Sequence, residues 1–342
     1  MRFDFIVPGD LSLATGGYVY DRQVIDRAGA GMRHVQVSAR FPSPDPDDIA
    51  EVARVLASAR APVLIDGLAC GALPRETIAD APVPVVALCH HPLGLETGLP
   101  TERALELLQQ EADALSACAH VIVTSNTTAR SLESHLGVSP DDITVAEPGL
   151  DRRSPAPRTG TPPCLLTVAS LTPRKGHDVL IAALERVADR NWTAVWVGAN
   201  TLDPTWAGML DARIAESPIG HRITRHGTLS GGDLSALYGT ADIFCLPSHY
   251  EGYGMVFAEA MMAGLPIVAC AGGAVPEVVP VSAGLLMEPG DPIALGNALD
   301  LVLRDRDLAD RMAAAGHAHA QTLPDWDDTT ATVRAVLRGV AR

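Results

Sequence analysis

The chain has 342 residues, 47% hydrophobic and 20% charged, with a formal net charge of −15. This length suggests two domains of ordinary size, and the composition excludes a disordered chain. The acidic balance disfavours nucleic acid and anionic membrane surfaces as partners.

Short β-rich apolar runs alternate with helical periodicity along the whole chain. In the first half, strands are expected at Phe3–Val7, His34–Ser38, Val63–Leu68, Val83–Cys89 and Val121–Thr124. Helices are expected between them near Tyr18–Ala28, Asp47–Ser58, Glu102–Ala117 and Thr127–His135. Phe3–Pro8 is too short and too acidic for a signal peptide, and no apolar run reaches the ~18 residues of a membrane span. The six cysteines show no metal or disulfide spacing, so a cytoplasmic protein is expected. From Asp151 to Pro163 four prolines and no periodicity read as a linker.

The second half repeats the alternation. Its strands are expected at Cys164–Val168, Ala194–Gly198, Ile223–His226, Ile243–Leu246, Pro266–Cys270 and Gly284–Met287. Its helices fall near His177–Ala188, Gly232–Tyr238, Met255–Ala263 and Pro292–Arg304, and a last one opens at Pro324-Asp-Trp-Asp-Asp. Two successive βα series imply two parallel, doubly wound sheets covered by helices. Ligands of such sheets bind at the carboxyl ends of the strands.

Four places carry chemistry. Gly16-Gly17 follows the first strand and would let backbone approach a phosphate or sugar. His90 and His91 end the strand Val83–Cys89. Lys175, the only lysine of the chain, follows Arg174 at the end of the first strand of the second half, where two cations suit a diphosphate. The segment from Ser248 to Ala269 places Glu251 and Glu259 eight residues apart, with Gly252 and Gly254 between them. Glycine disfavours a helix through Glu251, so a loop there feeds a helix from Met255 that stops at Gly264. Such a helix N-terminus presents unpaired N–H groups to a phosphate, with one acid before it and one behind. No triad and no metal-ligand spacing appears among the eleven histidines, so no metal and no bound cofactor is expected.

The segment Ser248–Ala269, continuing to Gly272-Gly273-Ala-Val-Pro-Glu, resembles the donor signature of retaining glycosyltransferases of the GT-B fold, family 4 in particular. The resemblance implies an α/β protein of two Rossmann-like domains facing across a cleft, with a C-terminal helix crossing back to the first. It implies an acceptor-side domain over 1–152 with the returning helix 325–342, and a donor domain over 153–324. Glu251 would face the donor sugar, and the backbone of Gly252, Tyr253, Gly254, Met255 and Val256 would hold the diphosphate. Glu259 would bind the ribose. Arg174 and Lys175 would bind the phosphates, although the upstream arginine of the family pattern is absent, with Ala169-Ser170 in its place. Thr228 and Leu229, in the segment His226–Tyr238, would receive the nucleobase through their backbone. Gly16-Gly17 matches the glycine-rich first loop. His91, followed by Pro-Leu-Gly, matches the histidine that meets the sugar and the acceptor, which leaves His90 a structural role.

The implied activity is a metal-independent hexosyl transfer from a nucleoside-diphosphate sugar, a UDP-sugar first, to an acceptor hydroxyl with retention. A small or soluble acceptor is expected, because the amphipathic stretch Thr101–Leu115 carries four acids against Arg103 and resembles no membrane-binding helix. A sugar-nucleotide epimerase or hydrolase, or a non-catalytic sensor of nucleotide sugars, would use the same fold. A dinucleotide dehydrogenase is disfavoured, since no Gly-x-Gly-x-x-Gly follows the first strand.

Overall fold

A computed structural model describes residues 2–229 and 231–341. The chain forms two compact units, Met1–Gly149 with Pro324–Arg342, and Leu150–Leu323.

The first unit is built on six parallel strands in the order β2-β1-β3-β4-β5-β6. These are β1 (Phe3–Pro8), β2 (Met32–Val37), β3 (Val63–Asp66), β4 (Val85–Cys89), β5 (His120–Val123) and β6 (Ile143–Val145). Every residue of β3 and β4 is buried, because helices cover both faces of a parallel sheet. That is why these strands read as unbroken apolar runs. β6 was not expected: it is three half-buried residues on the sheet edge, too short for a period to register.

The second unit has strands β7 (Cys164–Val168), β8 (Thr193–Val197), β9 (Ile223–His226), β10 (Ile243–Leu246), β11 (Ile267–Cys270) and β12 (Gly284–Met287). They pair in the order β12-β11-β10-β7-β8-β9, all parallel. The first and fourth strands of this sheet, β7 and β10, are neighbours, and the winding reverses between them. That reversal opens a crevice at their carboxyl ends. Trp192 and Trp196 fill one face of the sheet, and Phe244, Phe257 and Met261 the other. Two helices of this unit, Pro204–Glu216 and Arg306–Ala320, carry weak sequence signals. In the latter the buried stripe is Ala309, Met312, Ala313, Gly316 and Ala320, a helical spacing drawn mostly in small residues.

The last helix, Trp326–Gly339, belongs to the first unit. It begins with a capping box in which Asp325 accepts from the N–H groups of Asp327 and Asp328, and Asp328 accepts from the N–H of Asp325. Thr329 Oγ1 donates to the Glu147 carbonyl at 2.7 Å, and Trp326 meets Tyr20 edge to face at 5.7 Å. A Cβ at position 149 would lie 2.3 Å from the Trp326 nitrogen, so the turn Glu147-Pro-Gly149 needs its glycine. No helix among the described residues is long and apolar enough to cross a membrane.

Candidate active site

In the second unit, the loops after β7 and β10 meet at the switch point. β7 leads through Ser170 to a short 3-10 turn, Pro173–Lys175, closed by Gly176 at φ +67°. A side chain at 176 would place Cβ 2.3 Å from the Pro247 carbonyl oxygen, so this glycine lets the two loops touch. The His249 N–H donates to the Arg174 carbonyl at 2.8 Å and ties them together.

Glu251 stands at the centre of this junction, only 6% exposed. Lys175 Nζ lies 2.7 Å from its Oε1 and 2.8 Å from its Oε2. Ser248 Oγ, fully buried, donates to Oε1 at 2.6 Å. Arg174 Nη1 lies 3.7 Å from Oε2 and donates to the Tyr250 carbonyl at 2.9 Å. Burial alone would push the Glu251 carboxyl up. The charges of Lys175 and Arg174, with the hydrogen bonds from Lys175 and Ser248, outweigh it and hold the group below its ordinary value. The carboxylate is therefore charged and fixed.

Gly272-Gly273 supports this loop from behind. Gly273 has φ +61°, and a Cβ there would sit 2.3 Å from the Glu251 carbonyl oxygen. The Ala274 N–H donates to that same oxygen at 2.8 Å.

Gly254, at φ +92°, starts the helix Met255–Met262, which has no side-chain cap at its N-terminus. Its first turn thus offers backbone N–H groups to an anion. Gly252 and Tyr253 form the turn before it. Glu259 lies in the second turn of this helix, and its Oε2 accepts from the Tyr238 hydroxyl at 2.9 Å. Burial holds Glu259 above its ordinary value in spite of that bond. The Arg153 guanidinium covers the Tyr238 ring at 5.1 Å from its centroid. Thr228 is exposed, and Leu229 packs beside the core of this unit. Ser230, in the same segment, lies outside the described residues.

In the first unit, Gly16 and Gly17 form the first turn of the helix Gly16–Ala28, capped by Thr15. His90, at the end of β4, is the histidine beside them: a Cβ on Gly17 would lie 3.2 Å from its Cδ2. His91 is half-buried one residue further on. His90 Nε2 lies 3.0 Å from Asp21 Oδ1 and 3.6 Å from Asp66 Oδ2. Sequence reasoning did not find Asp21, Asp66 or Ser248. Single acids and a single serine carry no local signal, and only the strand order brings the two acids to His90. His177 packs edge-on against Trp196 at 5.1 Å. Its ring nitrogens are buried without a hydrogen-bond partner among the described residues.

A two-sheet α/β chain with two cations and a fixed carboxylate at the switch point of its second sheet has the form of a GT-B glycosyltransferase. Comparison with known families agrees. The profile of "Glycosyl transferases group 1" matches residues 151–319, and that of "Glycosyltransferase Family 4" matches residues 20–154. The chain belongs to this family of glycosyltransferases. A D-inositol 3-phosphate glycosyltransferase of Xylanimonas cellulosilytica is 30% identical over 241 residues, covering 65% of this chain and 57% of the relative. An MMP α-(1->4)-mannosyltransferase of Mycolicibacterium hassiacum is 27% identical over 322 residues, covering 89% of this chain and 77% of the relative. The chain thus spans little more than half of the first relative's length. The crystal structure of Anabaena Alr3699/HepE in complex with UDP and glucose superposes with a TM-score of 0.80 at 18% identity, covering 99% of each chain.

Proposed function

We propose that the chain transfers a hexose from a nucleoside-diphosphate sugar to an acceptor hydroxyl, with retention at the anomeric carbon and without a metal. The observation that carries this reading is the group Arg174, Lys175, Ser248 and Glu251 at the switch point, beside an uncapped helix N-terminus. Cleavage of the donor leaves a diphosphate anion and an electron-poor sugar carbon. Arg174, Lys175 and the N–H groups of Met255 and Val256 would neutralise the anion, as a cation does elsewhere. Glu251 would orient the sugar hydroxyls, and its charge offsets the developing cation. Glu259 would bind the ribose, exchanging the Tyr238 hydroxyl for a sugar hydroxyl. The backbone of Thr228 and Leu229 would take the base. In the first unit, Gly16, Gly17 and His91 would serve the sugar and the acceptor. The UDP bound by HepE supports a UDP-sugar as first choice. The relative named for D-inositol 3-phosphate supports a small polar acceptor.

Thermal unfolding against UDP, GDP, ADP, dTDP and NAD tests the donor site. A ligand at 100 times its dissociation constant adds about 2.7 kcal/mol. One diphosphate should stabilise the protein, and Lys175→Ala should remove that increment relative to its own unliganded state. No shift with any diphosphate, or a shift with NAD alone, would end the proposal. Consumption of the donor at full rate without any acceptor would replace transfer by hydrolysis or epimerisation.

A further inference from the structure

A second group of buried charges lies in the first unit. Its sheet reverses winding between β1 and β3, and three segments converge at the carboxyl ends of its central strands. The loop after β1 brings Gly16-Gly17 and, one turn into the helix, Asp21. β3 ends in Asp66, and β4 is followed by His90. Asp21 is 0% exposed and Asp66 2%, while the His90 side chain is 22% exposed.

Asp66 uses Oδ1 to cap the turn Gly67–Cys70, accepting from the Leu68 N–H at 2.9 Å, which leaves Oδ2 for His90. Asp21 Oδ2 is buried and, among the described residues, has no hydrogen-bond donor unless Asp66 holds a proton. Two carboxylates removed from water cost several kcal/mol each unless a cation or proton balances them. Among the described residues, the imidazole is the one basic group they share. Burial works against charge on the His90 ring, but Asp21 and then Asp66 outweigh it and raise its pKa. Burial first, and then the Asp21 charge, push Asp66 up to about 7, against the pull of His90. The remaining titratable neighbours are Tyr18 and Tyr20 from the first helix, His34 from β2 and Cys89 from β4. Burial and the nearby acids keep both tyrosines and the thiol protonated at neutral pH.

We propose that Asp21 and Asp66 are positioning residues for His90: Asp21 accepts its Nε2–H beside Gly17, the Asp66 carboxylate adds its charge 3.6 Å from the same nitrogen, and Nδ1 is so made the ring nitrogen presented to a substrate. Here two buried acids serve a single ring nitrogen at a sheet switch point, and the adjacent Gly17 has little room for a side chain. The effect on turnover rests on the transferase reading, whereas the tautomer and charge of His90 do not.

The test is a histidine ¹⁵N titration of the full chain, with His90 assigned from His90→Gln, together with kinetics on UDP-glucose and GDP-mannose with D-inositol 3-phosphate as acceptor. Wild-type His90 should titrate above an ordinary histidine, and past its midpoint Nε2 should keep the proton. Asp21→Asn should lower that midpoint and reduce kcat by about 100-fold, the scale of a misdirected acid–base group, with donor KM unchanged. Asp66→Asn, which retains the cap to Leu68, should act in the same direction if Asp21→Asn fails to fold. A proton on Nδ1 past the midpoint, or a midpoint unmoved by both variants, overturns the proposal. So does a His90 signal that shifts on adding Zn²⁺ to EDTA-treated protein, which would make the cluster a cation site. If wild type consumes neither sugar nucleotide, diphosphate binding decides the transferase reading, and the titration alone decides the positioning.

Discussion

Glu251 and Lys175 form a pair whose members depend on each other. Taking Lys175 away leaves a buried carboxylate with Ser248 and a more distant Arg174, and an uncompensated buried charge costs about 3–5 kcal/mol. Lys175→Met should therefore destabilise more than Lys175→Met with Glu251→Gln, and urea unfolding of the two singles and the double measures the coupling. Additive effects would mean that the ion pair does not form in solution. Glu251→Gln keeps the shape but loses the charge, so turnover should fall more steeply than donor KM rises; unchanged turnover would remove Glu251 from the chemistry. His177 behaves differently. Burial first, then Lys175 and Arg225, lower its pKa to about 3, so the folded protein binds fewer protons than the unfolded chain between about pH 3 and 6.5. Its contribution to stability is complete above the unfolded value and is lost as pH falls. His177→Phe should flatten the acid limb of a pH–stability curve.

Loops and helices set these residues in place. Gly273→Ala would force a Cβ against the Glu251 carbonyl at a positive φ, displacing the loop that carries the acid. A loss of about 1–3 kcal/mol is expected, with weaker diphosphate binding in the same variant. Retained binding would mean the loop adjusts without moving Glu251. The helix Thr101–Leu115 shows a different dependence on its surroundings. Of its four acids, Glu111 does not face solvent: it is 1% exposed and accepts from the Leu93 N–H at 2.7 Å, anchoring the segment that follows His91. Burial raises its pKa to about 7. Here the folded state binds the extra proton, so stability is full below the unfolded value and falls as pH rises through about 4.5 to 7, by roughly 3 kcal/mol. Glu111→Gln should remove that slope, and chemical denaturation at pH 5 and pH 8 measures it.

At the scale of the molecule, two cations and a helix N-terminus are proposed to do the work of a metal, so turnover should persist in EDTA; its loss would refute the metal-free reading. The two sheets were legible in the sequence because burial on both faces writes β3, β4, β10 and β11 as continuous apolar runs. The loop after β10 was legible because glycines stand at the positive-φ positions 254 within it and 273 behind it, and its acids stand within one segment. Lys175 was legible through its isolation in a chain with no other lysine. None of these needs knowledge of a distant contact. The three-residue β6 and the alanine-striped Arg306–Ala320 helix escaped because their apolar signal is too short or too small in side-chain volume. By itself the sequence determined two parallel α/β sheets and the residues of the loop after β10, since strand burial and glycine backbone geometry are properties of short segments. Only the tertiary structure decided which strands lie at each switch point. That strand order joins Glu251 to a lysine 76 residues away, turns Glu111 inward, and sets Asp21 and Asp66 on His90, because a carboxylate's partner depends on sheet topology and not on its neighbours in the chain.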